Sequence, residues 1–377
     1  MEDRNEAAPT AEVDFGTAYA GIELSKSSWV VSVLEPRSAN PRVHKLCGGD
    51  AAGLLALLDR VRGSGARVVC CYEAGRDGFW LQRSLAAHGI ECVVLDPASL
   101  PVDRRARRAK SDRLDAHGLS RAVMALDGGD RRACRAVVVP PPAVEDARQV
   151  HREREALVHE RVRLVNRIKA LLATQGVSGF EPLAEEKAAL AALRCGDGVA
   201  LPAALHDRLR REYDRLALVV AQIAEVEAIR DAIAAAPPPA DPQAGQIVRL
   251  AKLKAVGCQT ATVLAREVFW RAFDNRRQLG SYLGMTPTPW RSGAMVREQG
   301  ISKAGNPRAR TVAIELAWMW LRWQPDSALS KWFRDRVGAA KGRARRIAIV
   351  ALARKLLIAL WRYLTTGLVP DGAVLKA

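Results

Sequence analysis

The sequence predicts an α/β N-terminal domain followed by an all-α remainder, made of an antiparallel coiled-coil insert and a mainly helical C-terminal domain. Three observations predict it. Strand-like and helix-like runs alternate from Tyr19 to Leu126. Two later stretches carry apolar residues seven apart on charged helices. A proline run, Ala236-Pro237-Pro238-Pro239-Ala240-Asp241-Pro242, then precedes a segment holding seven of the nine tryptophans.

Tyr19–Leu24 and Ser28–Leu34 are β-rich runs joined by a tight turn, and Arg42–Leu46 is a third strand. Leu54, Leu55, Leu57 and Leu58 give Asp50–Val61 helical spacing. Arg67–Tyr72 and Glu91–Leu95 are further strands, and Phe79–His88 and Asp112–Leu126 are helices. A hairpin start followed by strand–helix alternation fits a sheet of the ribonuclease H kind. In the middle, apolar residues recur at Leu157, Leu164 and Leu171 and at Val158, Val162, Val165 and Leu172, and a later stretch carries Leu209, Leu216 and Ile223, interleaved with Val219, Val226 and Ile233. Seven-residue spacing predicts the coiled-coil hairpin; two amphipathic helices packed on a domain is the plainer reading of the same residues. The expected boundaries are a disordered tail over 1–16, the α/β domain over 17–127, linker and hairpin over 128–235, a proline-rich linker over 236–245, the C-terminal domain over 246–368 and a tail over 369–377. Trp318, Trp320 and Trp323 read as core or interface rather than base-stacking platforms.

The chain has 377 residues, 58 Lys and Arg against 41 Asp and Glu, and a formal charge of +17. Clustered cations on so basic a chain predict a polyanionic partner, DNA or RNA. No membrane span is expected, because the most apolar stretch, Ile347 to Leu364, is interrupted by Arg354, Lys355 and Arg362. Residues 1–14 are polar and acidic, without the apolar centre of a signal peptide. Seven cysteines form no CxxC pair and sit mostly in apolar runs, which predicts reduced, buried thiols, a cytoplasmic protein and no zinc site.

The chemistry concentrates in four carboxylates. Glu23 lies inside the run Ala20-Gly21-Ile22-Glu23-Leu24, and Glu73 closes Val68-Val69-Cys70-Cys71-Tyr72. Asp112 and Asp115 stand three apart and so share a helix face. An acid in or at the end of a strand is costly unless it is paired. Hard oxygen donors without cysteine or histidine favour magnesium, with manganese possible, and two such ions can position a phosphate. A salt bridge is the plain reading of any one of these acids taken alone. The run Arg104, Arg105, Arg107, Arg108, Lys110 and Arg113 leads straight into the acid pair and predicts phosphate contacts. Lys341, Arg343, Arg345 and Arg346 form a second, weaker cluster of the same type.

Gly284 to Gly293 reads as a turn-rich loop continuing to Arg308, with Arg291, Arg297, Lys303, Asn306 and Arg308 as candidate nucleic-acid contacts. Its glycines would let backbone N–H groups approach a phosphate. Ser292, between Arg291 and Gly293, is a candidate nucleophile, although a Ser-Gly pair by itself is far more often a turn. No histidine lies nearby in sequence to serve as its base. Upstream, Leu253 to Ala261 resembles a helix–hairpin–helix turn, which offers backbone amides to a phosphate.

The N-terminal acids with Lys110-Ser111-Asp112-Arg113-Leu114-Asp115-Ala116 resemble the RuvC-like DEDD domain of the IS110 insertion-sequence transposases. The stretch Leu253 to Arg310, with Ser292-Gly293 and Gly300-Ile301-Ser302-Lys303-Ala304-Gly305-Asn306, resembles that family's second domain. The resemblance covers about Tyr19 to Leu364 and implies an enzyme that excises and inserts a mobile DNA element in a bacterial cytoplasm. It implies magnesium held by Glu23, Glu73, Asp112 and Asp115, and Ser292 joined transiently to a DNA strand. It further implies donor and target DNA, a structured guide RNA, and a homodimer assembling to a tetramer. One departure stands out, since the family's first acid is usually aspartate and this chain has Glu23. Two other readings fit the same residues: a RuvC-type metal-dependent nuclease or junction resolvase, and an inactive transposase-derived nucleic-acid-binding protein.

Overall fold

The structure, a computed structural model, describes residues 16–376 except 37, 39, 64, 101–110, 293 and 294, and the side chains of residues 291–298 also lie outside the description. The chain divides into two compact units, one ending at Pro140 and the other beginning at Pro141.

The first unit contains β1 (Thr17–Leu24), β2 (Ser28–Leu34), β3 (Arg42–Cys47), α1 (Ala51–Arg62), β4 (Arg67–Glu73), α2 (Trp80–Ala87), β5 (Glu91–Leu95) and α3 (Asp112–Asp127). Its sheet has the order β3-β2-β1-β4-β5. β1 pairs antiparallel with β2 and parallel with β4, which pairs parallel with β5. Parallel neighbours need a crossover, and α1 and α2 provide the two crossovers. Strand alternation sorts the faces. Ala18, Ala20 and Ile22 of β1 pack with Leu54, Leu58, Leu81 and Leu85 on the α1–α2 side, whereas Val69 and Cys71 of β4 pack with Leu119, Ala122 and Val123 of α3. This is the expected mixed α/β sheet, consistent with a ribonuclease H-like domain. Beyond α3 the chain returns to the β5 edge, where Asp96 N donates to Arg135 O at 2.8 Å and Val137 N to Val94 O at 2.7 Å. The opposite edge is β3, with Arg42 and Lys45 exposed.

The second unit begins with α4 (Pro142–Asp146), α5 (Gln149–Ala173) and α6 (Ala203–Ala235). The long helices run antiparallel, as the ion pairs Arg154–Glu227 at 2.6 Å and Arg167–Glu212 at 3.1 Å show. α6 buries Leu209, Leu216, Ile223, Val219 and Val226, as the seven-residue pattern predicts. In α5 the buried stripe is Leu157, Leu164, Ile168 and Leu172. Of the two expected series, Leu157, Leu164 and Leu172 are buried, Val158, Val165 and Leu171 are half-buried and Val162 is exposed, since a straight helix drifts off a strict seven-residue repeat. Phe180, Leu190 and Leu201, from the connecting stretch, join this core.

The rest comprises α7 (Ala244–Ala251), α8 (Cys258–Glu267), α9 (Arg276–Tyr282), the strands β6 (Pro287–Ser292) and β7 (Met295–Ile301), α10 (Pro307–Trp323), α11 (Ala328–Val337) and α12 (Arg343–Thr366). Leu250, Leu264, Leu316, Trp320, Leu352, Leu356 and Leu360 are central to its core. The proline run is tied to α8 by an ion pair from Arg266 to Asp241 and a 3.0 Å hydrogen bond from Arg266 to Gln243. Of the three tryptophans read as core or interface, Trp320 is in the core, where its Nε1 donates to Ser327 Oγ at 2.9 Å. Trp318 and Trp323 are 38% and 41% exposed. The seven cysteines are free, and Cys47, contrary to the expected burial, is exposed at the β3 edge. No helix among the described residues is long and apolar enough to cross a membrane.

Candidate functional site

Gly21 decides where the acids stand. A Cβ at this position would lie 2.3 Å from Ala116 O and 2.4 Å from Ser120 N, so only glycine lets α3 settle directly on β1. Register places Ser32 and Cys71 beside Gly21 on the neighbouring strands. Ser32 Oγ lies 3.3 Å from Ser120 Oγ, and Cys71 Sγ donates to Leu119 O at 3.2 Å. At the far end of α3, Tyr19 OH donates to Asp127 at 2.9 Å, and Arg67 pairs with Asp127 at 2.8 Å. The helix therefore runs opposite to β1. Its C-terminus lies over the start of the strand and its N-terminus points toward the strand's end.

That end carries the acids. Glu23 follows Gly21 by two residues and so occupies the same sheet face. Continuing the β1–β4 register one step past the Ile22–Tyr72 pair sets Glu73 beside Glu23. Asp112 and Asp115 open α3, where Ser111 caps the helix by accepting from Leu114 N at 3.4 Å. Acids in a first helical turn also favour the helix dipole, which is their ordinary structural role. Glu23 and Asp115 are half-buried, and Glu73 and Asp112 are exposed. The donor set suits a hard divalent cation, being four carboxylates at one end of one sheet face with two open to an incoming ligand. Among the described residues, however, no three His, Cys, Asp or Glu side chains are drawn onto a common metal position. Arg113 is exposed on α3, whereas Arg104, Arg105, Arg107, Arg108 and Lys110 lie outside the described residues.

The serine segment is a β-hairpin rather than the expected loop. β6 pairs antiparallel with β7, and Ser292, opposite Met295, is the last residue of β6. The side chains of Ser292, Arg291 and Arg297 lie outside the description. The hairpin's base is firmly held. Ser302 N donates to Thr286 O at 2.8 Å and Lys303 N to Gly284 O at 3.0 Å. Arg310 bridges Leu283 O and Lys303 O at 3.0 and 3.1 Å. Two of the glycines expected to receive a phosphate instead admit neighbouring backbone. A Cβ on Gly284 would meet Ala304 O at 2.2 Å, and one on Gly305 would meet Tyr282 O at 2.3 Å, with both residues at positive φ. The helix–hairpin–helix expectation falls on α7, a turn and α8, with Val256 buried and Gly257 at the α8 N-cap.

Asn306 and Arg308 are engaged by carboxylates. Asn306 caps α10 through Ala309 N at 3.0 Å and donates to Glu267 Oε2 at 2.9 Å, and Arg308 pairs with Glu155 and reaches Glu267 at 3.5 Å. Glu267 is the centre of a network that sequence reasoning missed. His151 Nε2 meets it at 2.9 Å, and Arg152 grips both its oxygens at 2.8 and 3.1 Å. Burial pushes the carboxyl of Glu267 up, but the hydrogen bonds from His151 and Arg152 outweigh it and hold the group well below the usual carboxylate range. Burial, opposed by that same bond, leaves His151 below its ordinary value. No spacing signal links residues so far apart in sequence. Lys303, Lys341, Arg343, Arg345 and Arg346 are exposed, as phosphate contacts require.

Comparison with known proteins finds two family models along the chain. A DEDD-type transposase model matches residues 20–175, and one described as the transposase IS116/IS110/IS902 family matches residues 248–331. A putative transposase, y4rJ, of Sinorhizobium fredii is 46% identical over 389 residues, spanning 99% of this chain and 98% of the relative. The transposase for insertion sequence element IS1111A of Coxiella burnetii is 27% identical, spanning 86% of this chain and 87% of its own length.

Proposed function

The chain belongs to the IS110 family of insertion-sequence transposases, and from that premise we propose that it cuts and rejoins DNA through a covalent link to Ser292, assisted by carboxylates that hold magnesium. The observation that carries this reading is the seating of α3 on Gly21, which delivers Asp112 and Asp115 to the end of the sheet where Glu23 and Glu73 stand. These four residues would hold the cation, which when bound would neutralise charge on the phosphate. Glu23 reaches one methylene farther than an aspartate, so the first strand serves the same position at slightly greater distance. Ser292 Oγ attacks phosphorus, and the displaced strand leaves as a free hydroxyl end. The exposed cations Arg113 and Lys303, with the basic run before α3, bind the DNA backbone. Asn306 and Arg308 contribute by fixing the base of the serine hairpin.

The family resemblance supports a structured guide RNA as partner and a dimer that assembles to a tetramer, with the α5–α6 pair acting as a coiled-coil arm in that assembly. Incubation of the protein with its element's flanking DNA, RNA and magnesium, followed by denaturing electrophoresis, tests the reading. A protein-linked strand is expected, absent in Ser292→Ala while nucleic-acid binding persists. Strand cleavage undiminished in Ser292→Ala would replace the proposal with a metal-dependent nuclease. Unchanged transposition in Asp112→Ala cells would leave only a nucleic-acid-binding role.

A further inference from the structure

The most basic described part of the chain lies largely beyond the second family match, which ends at residue 331. Between Lys331 and Arg346 the sequence places seven lysines and arginines against one acid, Asp335. All seven cations are exposed, and among the described residues none of them forms an ion pair. So many uncompensated charges within two helical ends repel one another unless a polyanion lies across them. The turn joining α11 to α12 is open as well. Gly338 and Gly342 both have positive φ, and nothing stands within 4 Å of a Cβ added at either. Backbone there is accessible to a phosphate.

Aromatic surface adjoins this charge. Trp318 on α10 meets Phe333 of α11 edge-on at 6.4 Å and is covered on its ring by the Arg345 guanidinium at 5.2 Å. Trp323 on the same helix carries Arg322 over its ring at 5.2 Å. A buried tryptophan contributes to a core, as Trp320 does one residue row away. A partly exposed ring with a guanidinium over its face is instead a place where a base can stack, between indole and guanidinium.

We propose that the surface formed by α10, α11 and the start of α12 binds an unpaired stretch of nucleic acid, with Trp318 and Trp323 as stacking platforms and the Lys331–Arg346 cations on its phosphates. Duplex hides its base faces and would use the cations alone, so the tryptophans make the surface selective for single strands. A second copy of the chain is a poorer occupant, since it would bring the same positive charge. The inference stands apart from Ser292 and the four acids and does not depend on their roles.

Binding of the full-length protein to a labelled oligonucleotide tests it, with the same sequence supplied as single-stranded DNA, single-stranded RNA and duplex. Trp318→Leu, which keeps an apolar contact with Phe333, and Trp323→Leu should each weaken single-strand binding about tenfold, within the range for loss of one stacked base. Duplex binding should stay unchanged, and Trp318→Phe should retain single-strand affinity. Arg343→Gln with Arg346→Gln should weaken all three ligands and lower the salt slope by about 0.7 per charge removed on the single strands. A preference between the DNA and RNA arms identifies the natural source of the strand. Equal losses on single strand and duplex in the tryptophan variants, no loss on either, or a changed oligomeric state in place of a binding defect would each overturn the proposal.

Discussion

His151 on α5 and Glu267 on α8 meet through a 2.9 Å hydrogen bond at a point closed to solvent on both sides. The pair joins the foot of the long helical hairpin to the helix that also anchors Asn306, at the exit of the serine hairpin. Removing Glu267 would leave Arg152 and Arg308 without their shared carboxylate. Glu267→Ala is therefore expected to lower unfolding free energy by about 3–5 kcal/mol, as loss of one partner from a buried charge cluster does. Glu267→Gln, which keeps the shape and some hydrogen bonds, should cost less. Urea denaturation of the two variants checks the order.

Acid should weaken the same junction. Burial holds His151 neutral in the folded state, and the bonds from His151 and Arg152 hold Glu267 ionised against its own burial. Both folded values lie below their unfolded ones, so the unfolded chain binds more protons in acid. Stability from this site is complete above about pH 6.5, the unfolded histidine value, and declines as pH falls through it and then through about 4.3, the unfolded glutamate value. Melting temperatures from pH 8 to 4 should show the first decline in the natural protein and a weaker one in His151→Gln. Identical profiles would contradict a buried, neutral His151.

Gly21→Val is expected to be the most damaging single change in the first unit. Its added carbon would overlap Ala116 O and Ser120 N, which are backbone and cannot turn aside. Overpacking of this kind costs about 1–3 kcal/mol or more, and relief by lifting α3 would carry Asp112 and Asp115 away from Glu23 and Glu73. Thermal unfolding with and without magnesium should show both a lower melting point and a lost response to the ion.

Magnesium should raise the melting temperature of the natural protein if the four acids hold it. An ion at a hundred times its dissociation constant adds about 2.7 kcal/mol. Asp112→Asn and Glu73→Gln should each remove most of that rise, whereas Glu23→Asp should keep it. A rise that survives in Asp112→Asn would place the ion elsewhere.

The sheet and its helices were legible in the sequence because strand alternation and helical spacing are local. Glu23 and Glu73 stood out in the sequence because one interrupts and the other closes an apolar run, and Asp112 and Asp115 because they stand three apart directly after a basic run. Gly21 carried no such mark, since its role exists only once α3 lies on β1. The Glu267 network was equally hidden, because its members come from α5, α8 and the start of α10 and no short-range pattern relates them. Gly284 and Gly305 were visible as glycines, but their purpose was misjudged. They admit each other's neighbouring backbone, a pairing that the linear sequence does not display.

The ends of the five-stranded sheet bear on how copies of this chain can associate. On one side, Arg135 and Val137 already occupy the hydrogen-bonding groups beyond β5. On the other, β3 offers an open ladder but lines it with Arg42 and Lys45, charges of the type that keep edge strands from adding a neighbour. Strand-to-strand extension is thus blocked at one margin and repelled at the other. An oligomer of this transposase is therefore expected to form through helical or hairpin surfaces rather than through the edges of this sheet.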